Sequence, residues 1–139
     1  MNTIMSTRPE YGFVVTLPMP IDEARTLVEA ALKDEGFGVL TEIDVKTTLK
    51  NKIDADFDPY LILGACSPKH AHRVLSIDPN IGLLLPCNVT LHEIDGRTRV
   101  SLIDPLQMLA MAGDSAELIE VAREVEAAFR RVESALASA

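Results

Sequence analysis

The chain lacks tryptophan, and aromatic residues make up only 4% of its 139 residues. A core built from this composition must be aliphatic. Only two cysteines occur, Cys66 and Cys87, which excludes a framework of several disulfides. One domain of this length buries roughly two thirds of the surface that its unfolded chain exposes, so no such framework is needed.

Basic charge is also scarce, with 13 Lys and Arg against 21 Asp and Glu and a formal net charge of -8. That charge repels a phosphate backbone, so we expect no nucleic-acid partner. No apolar stretch approaches the roughly 18 residues of a membrane-spanning helix, and the N-terminus has no apolar run of signal-peptide length. We therefore expect a cytoplasmic protein without a membrane partner, in which both cysteines stay thiols.

Motifs of common enzyme classes are missing as well. The sequence contains no glycine-rich phosphate loop, no Gly-x-Ser-x-Gly elbow and no His-Glu-x-x-His zinc helix. Common nucleotide-binding and hydrolase classes are therefore unsupported.

Apolar periodicity and turn residues predict the secondary structure. Strands are predicted at 11–17, 37–45, 60–65, 87–94 and 97–103, and helices at 21–35, 44–53, 68–77 and 105–111, with a longer last helix after Gly113. Asp95-Gly96 is a strong hairpin signal, so the last two strands should pair antiparallel. The segment 81–85 is predicted as a short strand or an extended connector. The last helix carries one apolar stripe, which favours core packing over a dimer or partner surface.

Cys66 is the most informative residue, because it ends the apolar run of Leu61-Ile-Leu-Gly-Ala-Cys-Ser-Pro-Lys69. Ser67 is a good N-cap and Pro68 a good first helical residue, so the thiol should lie beside free backbone N–H groups. Such a position favours the thiolate. Cys87 follows Pro86, and the two cysteines could meet in space.

Three interpretations of the cysteines stay open. Both could be small buried core residues, since free cysteine is among the most buried residue types. Cys66 and Cys87 could form a reversible redox pair, with Cys66 the better nucleophile. They could also bind zinc or copper together with His70, four residues after Cys66, although a structural zinc normally takes four ligands.

Other polar residues carry weaker signals. Glu42 and Asp44 share a strand face and could line a polar pocket with Lys46, but solvated charge or helix capping is favoured. For each of the three histidines, His70, His72 and His92, an ordinary solvent-exposed side chain is favoured.

Three motifs together resemble the bacterial and archaeal domain-of-unknown-function family 302. They are Phe37-Gly-Val-Leu-Thr-Glu-Ile-Asp-Val-Lys-Thr-Thr-Leu-Lys50, Tyr60-Leu-Ile-Leu-Gly-Ala-Cys-Ser-Pro68 and Gly82-Leu-Leu-Leu-Pro-Cys-Asn-Val89. The chain has Ser67 where the family usually has Asn, and both residues cap helices well. The resemblance implies a single α+β domain with a mainly antiparallel sheet of about four to five strands, helices packed on it and a C-terminal amphipathic helix. It also implies a homodimer, and it implies no established activity.

Residues 1–10 are thus predicted to be a flexible N-terminus and 11–139 a single domain. We expect a homodimer that binds a small molecule or another protein, without established catalysis and without a cofactor. The alternative is a thiol-based redox or metal-binding protein that uses Cys66 and Cys87.

Overall fold

The structure is a computed structural model, and it describes residues 9–139. Its five strands form one antiparallel sheet in the order β1-β5-β4-β3-β2. The strands are β1 (Gly12–Leu17), β2 (Gly38–Asp44), β3 (Tyr60–Cys66), β4 (Cys87–Ile94) and β5 (Arg97–Ile103). The helices are α1 (Ile21–Asp34), α2 (Val45–Ile53), α3 (Pro68–Ile77), α4 (Pro105–Ala110) and α5 (Ala116–Ala137). The predicted α+β class with its antiparallel sheet and C-terminal helix is confirmed.

The hairpin between β4 and β5 follows from its turn residues. Asp95 and Gly96 have φ values of 56° and 75°, as a type I′ turn requires at both central positions. Ile94 consequently pairs with Arg97, and the register continues to Val89 opposite Leu102. The local sequence therefore sets the register at the centre of the sheet.

The core lies between the sheet and a layer that contains α1 and α5. Helix α5 packs against β1, α1, α3 and α4, while α1 reaches β2, β4 and β5. The apolar stripe of α5 is buried, as predicted for a core-packing helix. The sheet contributes alternate residues to this core, including Leu61, Leu63 and Ala65 of β3, which pair with Leu91, Val89 and Cys87 of β4.

One segment differs from its predicted form. Residues 81–85 were expected to be extended, but Pro79–Leu84 forms a 3₁₀ helix. Asp78 caps it by accepting a hydrogen bond from the Asn80 backbone N–H at 2.9 Å. Proline at the first helical position and this Asx-type cap stabilise a tight turn, and they outweigh the apolar run that suggested a strand.

The predicted flexible terminus at 1–10 falls mostly outside the described residues. Within them, the carbonyl of Glu10 accepts a hydrogen bond from Gln107 Nε2 at 2.7 Å. In the part of the chain that the structure describes, no helix has the length and apolarity to cross a membrane.

Candidate functional site

A mostly apolar pocket opens where the end of β3 and the start of β4 meet α3 and α5, and we call it the β3–α3 pocket. Its cavity volume is about 30 Å³, room for about one or two water molecules and well below the usual range of small-molecule sites. Its apolar walls include Phe37, Val74, Leu85, Leu109, Val121 and Val125. Its remaining functional groups belong to Cys66, Ser67, His70 and Cys87.

The strand-to-helix junction positions Cys66 and Ser67 at this pocket. Cys66 is the last residue of β3, and Ser67 is the N-cap residue of α3 with Pro68 after it. The N-cap position is as predicted, but the expected capping role is wrong, because the Ser67 side chain makes no capping hydrogen bond. Instead Ser67 Oγ lies 2.7 Å from His70 Nδ1. His70 is one helical turn further on, so its imidazole competes with the backbone N–H groups for the hydroxyl.

His70 connects this hydroxyl to α5. Its Nε2 lies 3.1 Å from Glu124 Oε1, and Arg73 donates to the same oxygen at 2.7 Å. The hydrogen bond from Arg73 is the main cause that lowers the pKa of Glu124, and a further hydrogen bond from His70 adds to it. Glu124 is therefore a carboxylate at neutral pH. The ring of Phe37 stacks on His70 with 6.2 Å between centroids.

Sequence reasoning missed this role of Glu124. The periodicity of α5 correctly places the residue on the polar side of the helix, 54 positions from His70. No local pattern connects the two residues, because their contact depends on how α3 packs against α5. We call the hydrogen-bonded series of Ser67, His70 and Glu124 the Ser-His-Glu chain.

Both cysteines line the β3–α3 pocket as free thiols, so no disulfide joins them. Burial raises the pKa of the Cys66 thiol. Burial, together with the charge that Cys66 would carry, raises the pKa of Cys87 to about 12. Both pKa shifts are upward, whereas a thiolate activated by the helix start would have a lowered pKa. The apolar surroundings cause this difference, because they disfavour a charged sulfur. The predicted redox pair is not confirmed.

The structure gives no support to the predicted metal set of Cys66, Cys87 and His70. Within residues 9–139, no group of three or more His, Cys, Asp or Glu side chains is arranged to hold a metal ion. Both ring nitrogens of His70 are engaged by Ser67 and Glu124.

The other polar candidates lie elsewhere. Glu42 pairs with Arg25 of α1, and Asp44 caps α2 by accepting a hydrogen bond from the Thr47 backbone N–H at 3.0 Å. These are the predicted roles of solvated charge and capping. Lys46 is exposed on α2.

The two remaining histidines differ from each other. His72 is exposed, as predicted. His92 is not, because its side chain is only 15% exposed and its Nε2 lies 2.9 Å from Asp58 Oδ2. The ring of Phe57 stacks on it.

Comparisons with known proteins agree with this fold. The model of the family described as "Domain of unknown function DUF302" matches residues 13–136. The crystal structure of an uncharacterized conserved protein DUF302 from Bacillus stearothermophilus superimposes with a TM-score of 0.79 at 32% sequence identity. The match covers 92% of this chain and 97% of that chain. No curated protein matches.

Proposed function

This chain belongs to the DUF302 family, as its three motifs predicted, and we propose that its function is to bind a small, mostly apolar molecule in the β3–α3 pocket. The observation that carries this proposal is an apolar pocket with polar groups gathered at one place. Small-molecule sites commonly have this composition, in which apolar walls supply affinity and a few polar groups fix orientation. The family name itself assigns no activity.

The pocket walls come from elements that the core already holds in place. Leu109, Val121 and Val125 are buried residues of α4 and α5, and Phe37 is buried against Phe129 with 5.0 Å between ring centroids. The pocket has a volume of about 30 Å³ in the free protein, so a compound of several heavy atoms binds there only if the walls move apart.

The proposal is tested by filling the pocket. Ala71 lines it from α3, and Ala71→Leu adds three carbons there while keeping a strong helix former. Ala127→Leu is the matched control on the exposed side of α5. Benzene, cyclopentane and cyclopentanol are titrated into ¹⁵N-labelled protein while the backbone amide signals of residues 66–71 are followed.

We expect saturable shifts of these signals in the wild-type protein and in Ala127→Leu, and their loss in Ala71→Leu. Absence of saturable shifts with all three compounds in the wild-type protein would refute the proposal. Equal shifts in Ala71→Leu and in the control would place the binding elsewhere and refute it too.

A thiol-based function is the alternative, and its support is that both thiols line one pocket. It requires a reactive Cys66, whereas burial raises the pKa of this thiol. We therefore favour ligand binding. Titration with an aromatic disulfide reagent distinguishes the two functions, because a redox role needs native Cys66 to react faster than a model thiol.

We also propose that the protein is a homodimer that uses the β2 edge of the sheet. Support comes from large apolar side chains exposed on β2, with Ile43 at 48% and Leu40 at 68%. An edge strand offers unpaired backbone groups to a second copy. Ile43→Lys should weaken the dimer in sedimentation equilibrium, whereas Ile53→Lys on exposed α2 should not. A wild-type monomer at all micromolar concentrations would contradict the proposal.

A further inference from the structure

A second concavity lies between α3 and the start of α5, and we call it the α3–α5 groove. Residues 72–77 of α3 and the first two turns of α5 contribute its walls. Its volume is about 410 Å³, within the usual range for small-molecule sites. The groove therefore has room for a small organic molecule without a change in the protein.

Ile77 and Val121 supply the apolar surface of the groove. Val121 is 1% exposed and belongs to the core, against which Ile77 also packs. This surface is consequently held in place by the packing of α5. It suits the hydrocarbon part of a ligand, whereas the groups around it are polar.

The charged side chains of the groove are mostly acidic. Glu117 and Glu120 line it with two carboxylates, and Arg73 contributes the guanidinium. Arg73 already pairs with Glu124 at 2.7 Å and with Glu120 at 3.6 Å. Its positive charge is thus offset by carboxylates of the protein, and the charge that the groove presents to a ligand is negative.

Ser76 adds a hydrogen-bond acceptor to these carboxylates. Its hydroxyl donates to the backbone carbonyl of His72 at 2.7 Å, so the oxygen keeps only acceptor capacity. The groove also lies at the C-terminal end of α3, where the helix dipole favours cations, and the last turn of α3 contains no basic residue. The start of α5 has the opposite polarity, which Glu117 in its first turn counters.

We propose that the α3–α5 groove binds small organic cations, of which primary ammonium compounds with a hydrocarbon part are the simplest class. An ammonium group has three donors and no acceptor, so it complements Glu117, Glu120 and Ser76. Its hydrocarbon part contacts Ile77 and Val121. The net charge of -8 attracts such cations to the molecule. This site is separate from the β3–α3 pocket and does not depend on the function proposed for that pocket.

Cyclopentylamine and cyclopentanol form a matched pair for the test, because they share one ring and differ in charge. The amine is a cation at about pH 8, since alkylamines titrate near about pH 10, whereas imidazoles are ordinarily neutral there. Both compounds are titrated at low ionic strength into ¹⁵N-labelled protein, and dissociation constants come from the backbone amide signals of residues 72–77 and 117–121.

We expect the amine to bind about three- to tenfold more tightly than the alcohol. The preference is modest because Glu120 is 67% exposed and water screens its attraction. Added salt should reduce the preference, since it screens exposed charges further. Equal binding of the two compounds, tighter binding of the alcohol, or no saturable shifts with the amine overturns the inference.

Charge-neutralising variants assign the preference to the groove. Glu117→Gln and Glu120→Gln keep the size of the side chain and remove one charge each, so each should reduce the preference and the double variant should abolish it. Glu133→Gln is the matched control, because it removes the same charge from α5 roughly 20 Å further along the helix. An unchanged preference in the double variant, or an equal loss in Glu133→Gln, contradicts the assignment.

The Ala71→Leu variant separates this inference from the function proposed for the β3–α3 pocket. Ala71 lines that pocket and does not line the groove, so binding of the amine should be the same in Ala71→Leu as in the wild-type protein. Loss of amine binding in Ala71→Leu would place the amine in the β3–α3 pocket and overturn the inference.

Discussion

Gly64 is the position where the structure predicts the sharpest effect of one added carbon. It lies in β3 opposite Thr41 of β2 and Asn88 of β4. A Cβ at Gly64 would overlap Thr41 Oγ1 and would lie 2.6 Å from Pro86 Cγ. The threonine hydroxyl can rotate away, but the proline ring moves only with its backbone. Gly64 therefore allows Pro86 to lie against β3, where it forms part of the pocket wall.

The magnitude follows from two opposing effects of Gly64→Ala. Restricting the unfolded chain stabilises by about 0.4–1 kcal/mol. Overpacking a well-filled site costs about 1–3 kcal/mol, and the rigid contact with Pro86 places this site in the upper part of that range. We expect a net loss of about 1–2 kcal/mol in the free energy of unfolding.

Urea denaturation followed by far-UV circular dichroism measures this difference. Gly38→Ala is the matched control, because it lies in the adjacent strand β2 and a Cβ there meets nothing within 4 Å. The control should be neutral or slightly stabilising, by up to about 1 kcal/mol. If Gly64→Ala is as stable as the control, the close approach of Pro86 does not constrain this strand and the reasoning fails.

Three further predictions concern the core, a thiol and a helix cap. Phe129→Ala should lower the free energy of unfolding by about 3–5 kcal/mol, because the ring is fully buried. Phe57→Ala, at an exposed ring, should lower it by less than about 1 kcal/mol. Equal losses for the two variants in denaturation experiments would contradict the described core. The pKa of Cys87 is raised from 9.0 to about 12 in the folded protein, so the unfolded chain releases this proton first as pH rises. Stability should therefore fall above pH 9 by up to about 1.4 kcal/mol per pH unit, and Cys87→Ala should show a shallower fall; identical slopes would refute burial of the thiol. Ser115→Ala removes the hydroxyl that accepts from a backbone N–H of α5 at 3.2 Å and should lower stability by about 1 kcal/mol, whereas Ser67→Ala loses no such bond and should lower the thermal midpoint less.

Much of the fold could be predicted because its signals are local. The Asp95-Gly96 turn fixes the central hairpin, and the apolar periodicity of α5 identifies its buried side. The segment 81–85 was predicted incorrectly, because a short apolar run does not by itself distinguish a strand from a helical turn. In that segment the backbone responds to Asp78 and Pro79 rather than to the apolar residues that follow.

The cysteines show which property of the site could not be predicted from the sequence, namely the effect of the surroundings on the thiol pKa. The sequence placed Cys66 at the junction of a strand and a helix, which the structure confirms. The start of a helix favours a thiolate, and only this favourable effect is visible in the sequence. The opposing effect comes from apolar walls that α3, α4 and α5 bring around the sulfur, and it dominates.

The sequence alone determined the order of strands and helices, the hairpin and the buried face of the last helix, because neighbouring residues encode backbone conformation and apolar periodicity. Tertiary structure alone decided the hydrogen bond between His70 and Glu124, 54 positions apart, and that between the Ile21 N–H of α1 and Glu93, 72 positions apart. It also decided that apolar side chains surround the Cys66 thiol and raise its pKa. These properties depend on which side chains and how much water surround a group, and packing between distant segments sets both.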